Sequence, residues 1–359
     1  MTLVTWCSQH CWAADSRECI ISVCFDFSTF TAHTNRKRAQ FSTIAFALTI
    51  VVGGTIVAVA QGMDQRATLD RQLLQAADDR DIGSVQRLLK SGANIEAKNR
   101  QGSTALIIAA ASGNTVMVKF LLENGANVAA SDNYHETALI QAARVGAADS
   151  VVALLGASSG VKEKNEALFA ATEAGPVVVI SEDAEAKPNK QDGQAATEAP
   201  EPPWVSTVRV LLDSGADLEA RDEDGETPLI RAASYGQTDI FRLLLQRGAN
   251  LNARDKNGMT ALIAAACECA VATMNSTYDI VRMLLEKGAN ANSSTRDGTT
   301  ALMKTAGGFG EVAIVELLLD YRANPAVKNK EGDTALTLAM KSDQTEKVLL
   351  LKKAVERSR

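Results

Sequence analysis

One sequence pattern returns along most of the chain at intervals of about 33 residues. Its start is a Thr followed by Ala or Pro and then Leu, and it occurs at Thr104, Thr137, Thr227, Thr260, Thr300 and Thr334. The first two starts are 33 residues apart, as are the third and fourth, and the last two follow at spacings of 40 and 34. Repeats of this length build a stack in which each unit packs only on its neighbours.

Each recurring position of the pattern has a physical role. The Thr hydroxyl can cap a first helix, and the Ala and Leu residues that follow suit close helix packing. A glycine follows the second apolar segment, where a left-handed residue ends a helix: Gly92, Gly125, Gly215, Gly248 and Gly288. Two residues later comes a residue that can fix a turn through its own backbone: Asn94, Asn127, Asp217, Asn250 and Asn290. A second glycine lies at five of the loop tips: Gly102, Gly225, Gly258, Gly298 and Gly332.

This pattern resembles the ankyrin repeat. The resemblance implies an all-α solenoid of about eight helix-turn-helix units with β-hairpin fingers, over residues 67–359. The family has His after Thr-Pro-Leu. In this chain no copy has His at that position, which is occupied by Ile107, Ile140, Ile230, Ile263, Met303 and Thr337. We therefore expect apolar packing in place of the hydrogen bonds that this His makes in the family.

Other departures from the pattern lead to further expectations. Arg322 replaces the glycine that ends a second helix and His135 replaces a tip glycine, so both should adopt a strained backbone. The polar first unit (about 69–100) and last unit (330–359) read as caps of the stack. The finger between the third and fourth units should be truncated. The sixth unit has seven extra residues, around Cys269 to Ser276.

An acidic, proline-rich insertion interrupts the fourth unit at residues 175–203, between a helix predicted at about Asn165 to Ala174 and another near Trp204. Its composition is typical of a disordered loop. Two interpretations stay open. The insertion is either a solvated loop without function, or an acidic clasp for a partner in which residues 177–180 dock as a strand.

The N-terminal region predicts targeting. Arg36-Lys37-Arg38 precedes an uncharged stretch from Phe41 to Ala60, so residues 36–60 read as a signal peptide or a membrane anchor. Cleavage would use Ala58 and Ala60 and leave Gln61 at the mature N-terminus. Residues 1–35 read as an unstructured extension, and translation that starts near residue 30 would omit them. A buried helix is the remaining alternative for residues 41–60.

This reading places the repeats outside the cytoplasm, because the basic cluster stays inside. The protein would be periplasmic or secreted, or anchored in the inner membrane with its repeats facing the periplasm. It becomes a cytoplasmic scaffold only if residues 41–60 are not used for targeting.

Candidate groups for chemistry are few, so we expect no enzyme, no cofactor and no metal site. The mature chain would have one histidine, His135, and the chain has no phosphate-binding glycine fingerprint. Two alternatives remain: a hydrolase that works through His135, and a small-molecule or haem module that uses Cys267, Cys269 and Tyr278. The net charge of −6 argues against nucleic acid.

The resemblance implies that another protein binds along the concave side, formed by the fingers and the inner helices. By position, the expected contact residues on the fingers are Asn99, Arg100, Tyr134, His135, Glu223, Lys256, Arg296 and Lys330. The ends of the first helices would add Ser112, Tyr235 and Phe309. Tyr134 and Tyr235 are the leading anchors, since tyrosine is a frequent interface hot spot. The acidic balance leans weakly towards a basic partner, and contact with a membrane is expected only through residues 41–60.

Overall fold

The computed structural model describes residues 65–157, 160–173, 201–266, 274–308 and 311–357. Residues 1–35, residues 36–60 with Gln61, and the insertion up to residue 200 lie outside these ranges, as do Cys267, Cys269 and Phe309. Predictions on those residues therefore stay predictions. No helix within the described ranges combines the length and the apolar character that crossing a membrane requires.

Sixteen helices in the described residues form eight consecutive pairs. The first helices of the pairs are α1 (65–78), α3 (Ala105–Ala111), α5 (Ala138–Arg144), α7 (Val161–Glu173), α9 (Pro228–Ser234), α11 (Ala261–Ala266), α13 (Ala301–Gly307) and α15 (Ala335–Lys341). The second helices are α2 (Ile82–Lys90), α4 (Thr115–Glu123), α6 (Ala148–Ala157), α8 (Pro203–Asp213), α10 (Thr238–Gln246), α12 (Met274–Glu286), α14 (Val312–Asp320) and α16 (Thr345–Arg357).

The helices are arranged in two layers. From α3 onward, each odd-numbered helix contacts the next odd-numbered one, and from α4 onward each even-numbered helix contacts the next even-numbered one. We call the odd-numbered helices inner and the even-numbered helices outer. The core between them is continuous and consists mainly of Ala, Leu, Ile and Val. An all-α solenoid of eight units, as the sequence predicts, is confirmed.

Threonine caps begin the short inner helices, as predicted. The Oγ1 atom of Thr104 accepts a hydrogen bond from the Ile107 amide at 3.4 Å, and Thr227 does the same for Ile230 at 3.3 Å. The position that follows Thr-Ala-Leu is buried in the copies that have Ile or Met, which confirms apolar packing there. In the last copy Thr337 instead donates to Asp333 and closes a capping box with Thr334.

The loops between units, which we call fingers, contain less β-structure than the resemblance implies. Within the described residues only two isolated β-bridges occur, Ser131 with Thr137 and Ser294 with Thr300, and there is no extended strand. Side chains shape the fingers instead: Asn94 Oδ1 accepts from the Glu96 amide at 3.1 Å, and the equivalent Asp or Asn does so in later units.

The two departures from glycine adopt the predicted left-handed backbone. Arg322 has φ 63° and His135 has φ 62°, whereas the equivalent glycines have φ between 78° and 93°. At the tip of the first finger the glycine is also required for space, because a Cβ on Gly102 would lie 2.9 Å from the Asn133 nitrogen. A side chain is accommodated only where the neighbouring loop leaves room.

The finger between the third and fourth units is absent. Helix α6 ends at Ala157 and α7 begins at Val161, so only three residues connect them. Helix α7 thus starts four residues earlier than predicted, and its second turn carries Asn165 to the place that a finger residue occupies elsewhere. Asn165 Oδ1 accepts from the Asp217 amide at 2.8 Å, which is the bond that Asp70 of α1 makes with Asn94 at 2.7 Å. The fourth unit is therefore built like the first.

Three predicted boundaries shift. The first helix is already present at residue 65, before the predicted start of the repeats at residue 67. Pro203, assigned to the insertion, is the first residue of α8, and Glu201 pairs with Arg209 of that helix. Part of the extra length of the sixth unit is helical, because α12 already begins at Met274.

The C-terminal unit closes the stack with a buried lysine. Lys347 of α16 is 2% exposed, and its ammonium donates to the Thr305 carbonyl at 2.9 Å and the Gly308 carbonyl at 2.6 Å. These carbonyls belong to the end of α13, where Gly308 has an extended backbone. A cation at a helix C-terminus is also favoured by the helix dipole.

Replacing Lys347 by Met should lower the free energy of unfolding by about 1–3 kcal/mol, because one buried and one partly buried carbonyl group lose their donor. Urea denaturation followed by circular dichroism measures the change. The matched control is Lys352→Met, at an exposed position of the same helix, which should change stability by less than about 0.5 kcal/mol. Equal effects of the two substitutions would show that the Lys347 contacts do not stabilise the cap.

Replacing Arg322 by Gly should raise the free energy of unfolding by up to about 1 kcal/mol. The left-handed conformation costs a non-glycine residue about 1–2 kcal/mol, and the added freedom of Gly in the unfolded chain removes part of that gain. The same denaturation experiment tests this. A loss of stability would mean that the Arg322 side chain makes a stabilising contact that outweighs its backbone strain.

Candidate protein-binding surface

The finger tips lie side by side, joined by backbone hydrogen bonds. The Asn133 amide donates to the Gln101 carbonyl at 2.9 Å, which joins the first two fingers. The same bond joins the last four: Lys256 to Asp224 at 3.0 Å, Arg296 to Asn257 at 2.7 Å, and Lys330 to Asp297 at 2.8 Å. The residue that donates in each finger is thus a predicted contact residue or, at Asn133, its neighbour. We call the fingers and the adjoining exposed side of the inner helices the finger face.

Most of the predicted finger residues are exposed on this face. Exposed side chains are those of Arg100, Tyr134, His135, Glu223, Lys256, Arg296 and Lys330. Asn99 differs, because its Oδ1 atom accepts from the amides of Gln101 and Ser103, both at 2.9 Å, and so holds its own turn. The Lys256 ammonium reaches the Glu223 carbonyl, which further ties two neighbouring fingers together.

Tyr134 is the most exposed large apolar side chain in the described residues, at 74%. It lies at the tip of the second finger, and no finger follows it because α7 takes that place. The other predicted anchor, Tyr235, is half-buried at the C-terminal cap of α9. Ser112 caps the end of α3 in the same way, and its carbonyl accepts from Arg80 at 3.0 Å. The structure therefore brings the two tyrosines to opposite ends of the inner helices.

Sequence reasoning missed a set of ion pairs on the finger face. In three units a cation on the inner helix pairs with a carboxylate from the finger that precedes it: Arg144 with Glu136, Arg231 with Asp222 and Glu226, and Lys341 with Asp333. The pairing with Lys341 holds the pKa of Asp333 below its ordinary value. The repeat pattern contained the signal for these pairs, since each cation lies four or seven residues after the capping Thr.

Arg231 is the centre of the largest of these clusters. Its guanidinium contacts Glu173, Asp222 and Glu226, and it lies 5.4 Å from the centre of the Phe169 ring. Burial opposes the charged form, but the three carboxylates outweigh it and raise the pKa of Arg231. Burial also raises the pKa of Glu226, and the charge of Arg231 offsets only part of that increase. Through Glu173, this cluster links the fourth unit to the fifth.

A large groove lies at the N-terminal end of the finger face. It has a volume of about 1050 Å³ and lies between α1, the first finger and α3. Its floor includes Leu74, Ile107 and Ile108, and Arg100 and Ser112 are two predicted contact residues that line it. The groove is thus formed by the same elements that the resemblance assigns to partner binding.

The described residues contain no group of three His, Cys, Asp or Glu side chains that could hold a metal ion. Of the residues suggested for a small-molecule or haem module, Tyr278 is packed against the core on α12. Its proposed companions, Cys267 and Cys269, lie outside the described residues. The geometry therefore supplies nothing in favour of that alternative.

A two-layered helical stack with one row of linked fingers defines a class of repeat proteins whose fingers and inner helices present a continuous surface. The chain belongs to the ankyrin repeat family. The family model described as ankyrin repeats in three copies matches residues 73–167, 203–294 and 269–357. These repeats indicate a protein–protein interaction module.

Two relatives, both from the bacterium Rickettsia felis, carry the name ankyrin repeat protein. One is 43% identical over 53 residues, which are 15% of this chain and 80% of that protein. The other is 45% identical over 49 residues, which are 14% of this chain and 78% of that protein. Each match thus covers about one and a half repeats, and both relatives are bacterial.

Replacing Arg231 by Met should lower the free energy of unfolding by about 2–3 kcal/mol near pH 7. This is less than for a fully buried ion pair, because the Arg231 side chain keeps 18% exposure. Without the cation, the clustered carboxylates have a higher pKa in the folded than in the unfolded state. The folded variant therefore gains protons first as the pH falls, and its deficit should shrink towards about pH 4.5.

Urea denaturation of both proteins at the two pH values measures this effect. The matched control is Arg242→Met, which removes an exposed pair with Asp239 and should cost less than about 1 kcal/mol. A deficit for Arg231→Met that stays constant or grows on acidification would contradict the electrostatic explanation.

Proposed function

We propose that this protein is a non-enzymatic binding module that holds another protein on its finger face, outside the cytoplasm. The observation that carries the proposal is the row of finger tips, joined by backbone hydrogen bonds and bearing exposed Tyr134, Lys256, Arg296 and Lys330. A surface that is already ordered costs little conformational entropy when a partner docks. Exposed Tyr and Arg side chains on such a surface are the types that supply most binding energy.

The non-enzymatic character of this proposal is supported by the placement of the candidate chemical groups. His135 is exposed at a finger tip, and the hydrogen bond recorded for it is that of its backbone amide with the Asp132 carbonyl. A hydrolase would need this imidazole to contact a nucleophile and an orienting carboxylate. No such contact of its side chain is present among the described residues.

The location of the protein is proposed from the sequence of residues 36–60. A basic cluster, an apolar stretch and a site with small residues at Ala58 and Ala60 are the features that export requires. If the segment is retained, the protein becomes a membrane-tethered scaffold with the same binding face. The intact mass of the protein from fractionated bacteria distinguishes the two: a soluble periplasmic form that begins at Gln61, or an uncleaved form in the membrane fraction.

Site-specific photo-cross-linking in the producing cell tests the binding face. A photoreactive amino acid at Tyr134, Lys256 or Lys330 should give a discrete cross-linked protein species. The same probe at Val116 of α4 or Arg242 of α10, both exposed on outer helices, serves as the matched control and should give none. Cross-linking from the outer helices alone, or equal cross-linking from both faces, would contradict the proposal.

A further inference from the structure

The N-terminal groove differs from the finger face of the third, fifth and eighth units, because its apolar floor is not crossed by an ion pair. In three units, a side chain four or seven residues after the capping Thr reaches the preceding finger. In α5, α9 and α15 these positions include Arg144, Arg231 and Lys341, which cross to finger carboxylates. In α3 the same positions are Ile108, half-buried, and Ala111, exposed, so no ion pair crosses the groove there.

Two contacts fix the orientation of α1 along the groove. At its finger end, Asp70 accepts from the Asn94 amide at 2.7 Å. At the opposite end, just beyond α1, Arg80 donates to the Ser112 carbonyl at 3.0 Å. The groove therefore runs from the first finger to the end of α3, and its two rims are held in place by hydrogen bonds.

The charges of the groove are separated along this direction. At the finger end lie Arg71 and Arg100, whose guanidinium groups have no ion-pair partner in the part of the chain that the structure describes. Lys98 adds a third cation there, with its ammonium 2.8 Å from the Ser131 carbonyl. The carboxylate of Asp70 at this end is already engaged with a backbone amide. At the opposite end Asp78 supplies the negative charge.

We infer that this groove binds a segment of the partner protein that has two or three apolar side chains followed, towards the first finger, by an acidic residue. The apolar side chains lie on Ile107, Ile108 and Ala111, and the acidic residue pairs with Arg71 and Arg100. A guanidinium and a carboxylate form the strongest charged pairs, often through two parallel hydrogen bonds. A groove of about 1050 Å³ has room for several side chains. The inference rests on the proposed function. It adds which part of the finger face binds the partner protein and what chemistry the bound segment has.

Selection from a random library of displayed twelve-residue peptides on the purified protein tests the inference. Enriched peptides should share an apolar pair or triplet and an Asp or Glu. The variant Ala111→Arg places the residue of α5 at the equivalent position of α3, where the side chain is exposed, and should weaken binding of these peptides at least about tenfold. The matched control Ser234→Arg makes the equivalent change in α9 and should leave binding within about twofold.

Charge reversal tests the acidic preference. The double variant Arg71→Glu, Arg100→Glu should bind the enriched peptides at least about tenfold more weakly, and it should prefer versions in which Lys replaces the acidic residue. Circular dichroism and urea denaturation verify that each variant is folded. Because both arginines are exposed and make no ion pair in the described residues, the fold should be retained.

Three outcomes would overturn the inference: no enrichment, enriched peptides that keep their affinity for Ala111→Arg, and peptides indifferent to charge reversal. The proposed function stays testable after each of these outcomes, because the cross-linking probes at Tyr134, Lys256 and Lys330 lie on fingers outside the groove. Cross-linking there combined with a failed selection would retain the binding module and reject the groove. Success in the selection without cross-linking in cells would support the groove but reject a partner on the other fingers.

Discussion

The stack depends on one recurring bond between a side chain of one unit and a backbone amide of the next. The amide belongs to the Asn or Asp that starts each finger, and the side chain lies about one repeat earlier. The pairs are Asp70–Asn94, Glu96–Asn127, Asn165–Asp217, Glu219–Asn250, Asn252–Asn290 and Asn292–Asn324. The Asn or Asp whose amide donates this bond also holds the turn of its own finger through its side chain. Each bond therefore sets the position of a whole finger relative to the preceding unit. Where no finger precedes, at α1 and α7, a helical residue supplies the acceptor, so each of the two runs of fingers starts from a helix.

This linkage explains how the same repeat can carry different surfaces. The core positions and the amide bond fix the spacing of the units, which leaves the finger-facing positions of the inner helices free to vary. In the third, fifth and eighth units they carry cations that pair with finger carboxylates, and the surface there is polar. In the second unit they carry Ile108 and Ala111, and the surface is open and apolar. Specificity on this scaffold is therefore set by a few side chains, while stability is set by the repeat.

The sequence predicted the features that depend on local chemistry. Threonine caps, left-handed glycine positions and the strained Arg322 and His135 follow from rules that act within a few residues, and all are confirmed. The predicted finger residues are exposed, although whether they contact a partner stays a prediction. What the sequence did not reveal depends on distant residues. Arg231 meets Glu173 across 58 positions that include the insertion, and Lys347 reaches the end of a helix some 40 residues earlier. A repeat pattern contains no information on such pairs. The extension of α7 in place of a finger follows from the missing finger residues between α6 and α7, and no recognisable motif marks it.

The absent finger has a consequence for the exchange of backbone hydrogens with solvent. Four finger-tip amides, at Asn133, Lys256, Arg296 and Lys330, donate to the preceding finger and are thereby shielded. The equivalent amides of Arg100 and Glu223 have no preceding finger, since α1 and α7 stand in its place, and neither has a backbone acceptor among the described residues. In deuterated solvent these two tips should label quickly while the other four label slowly. The rate of labelling would thus divide the row of fingers into two runs that both begin at a helix, although the helical core beneath them is continuous.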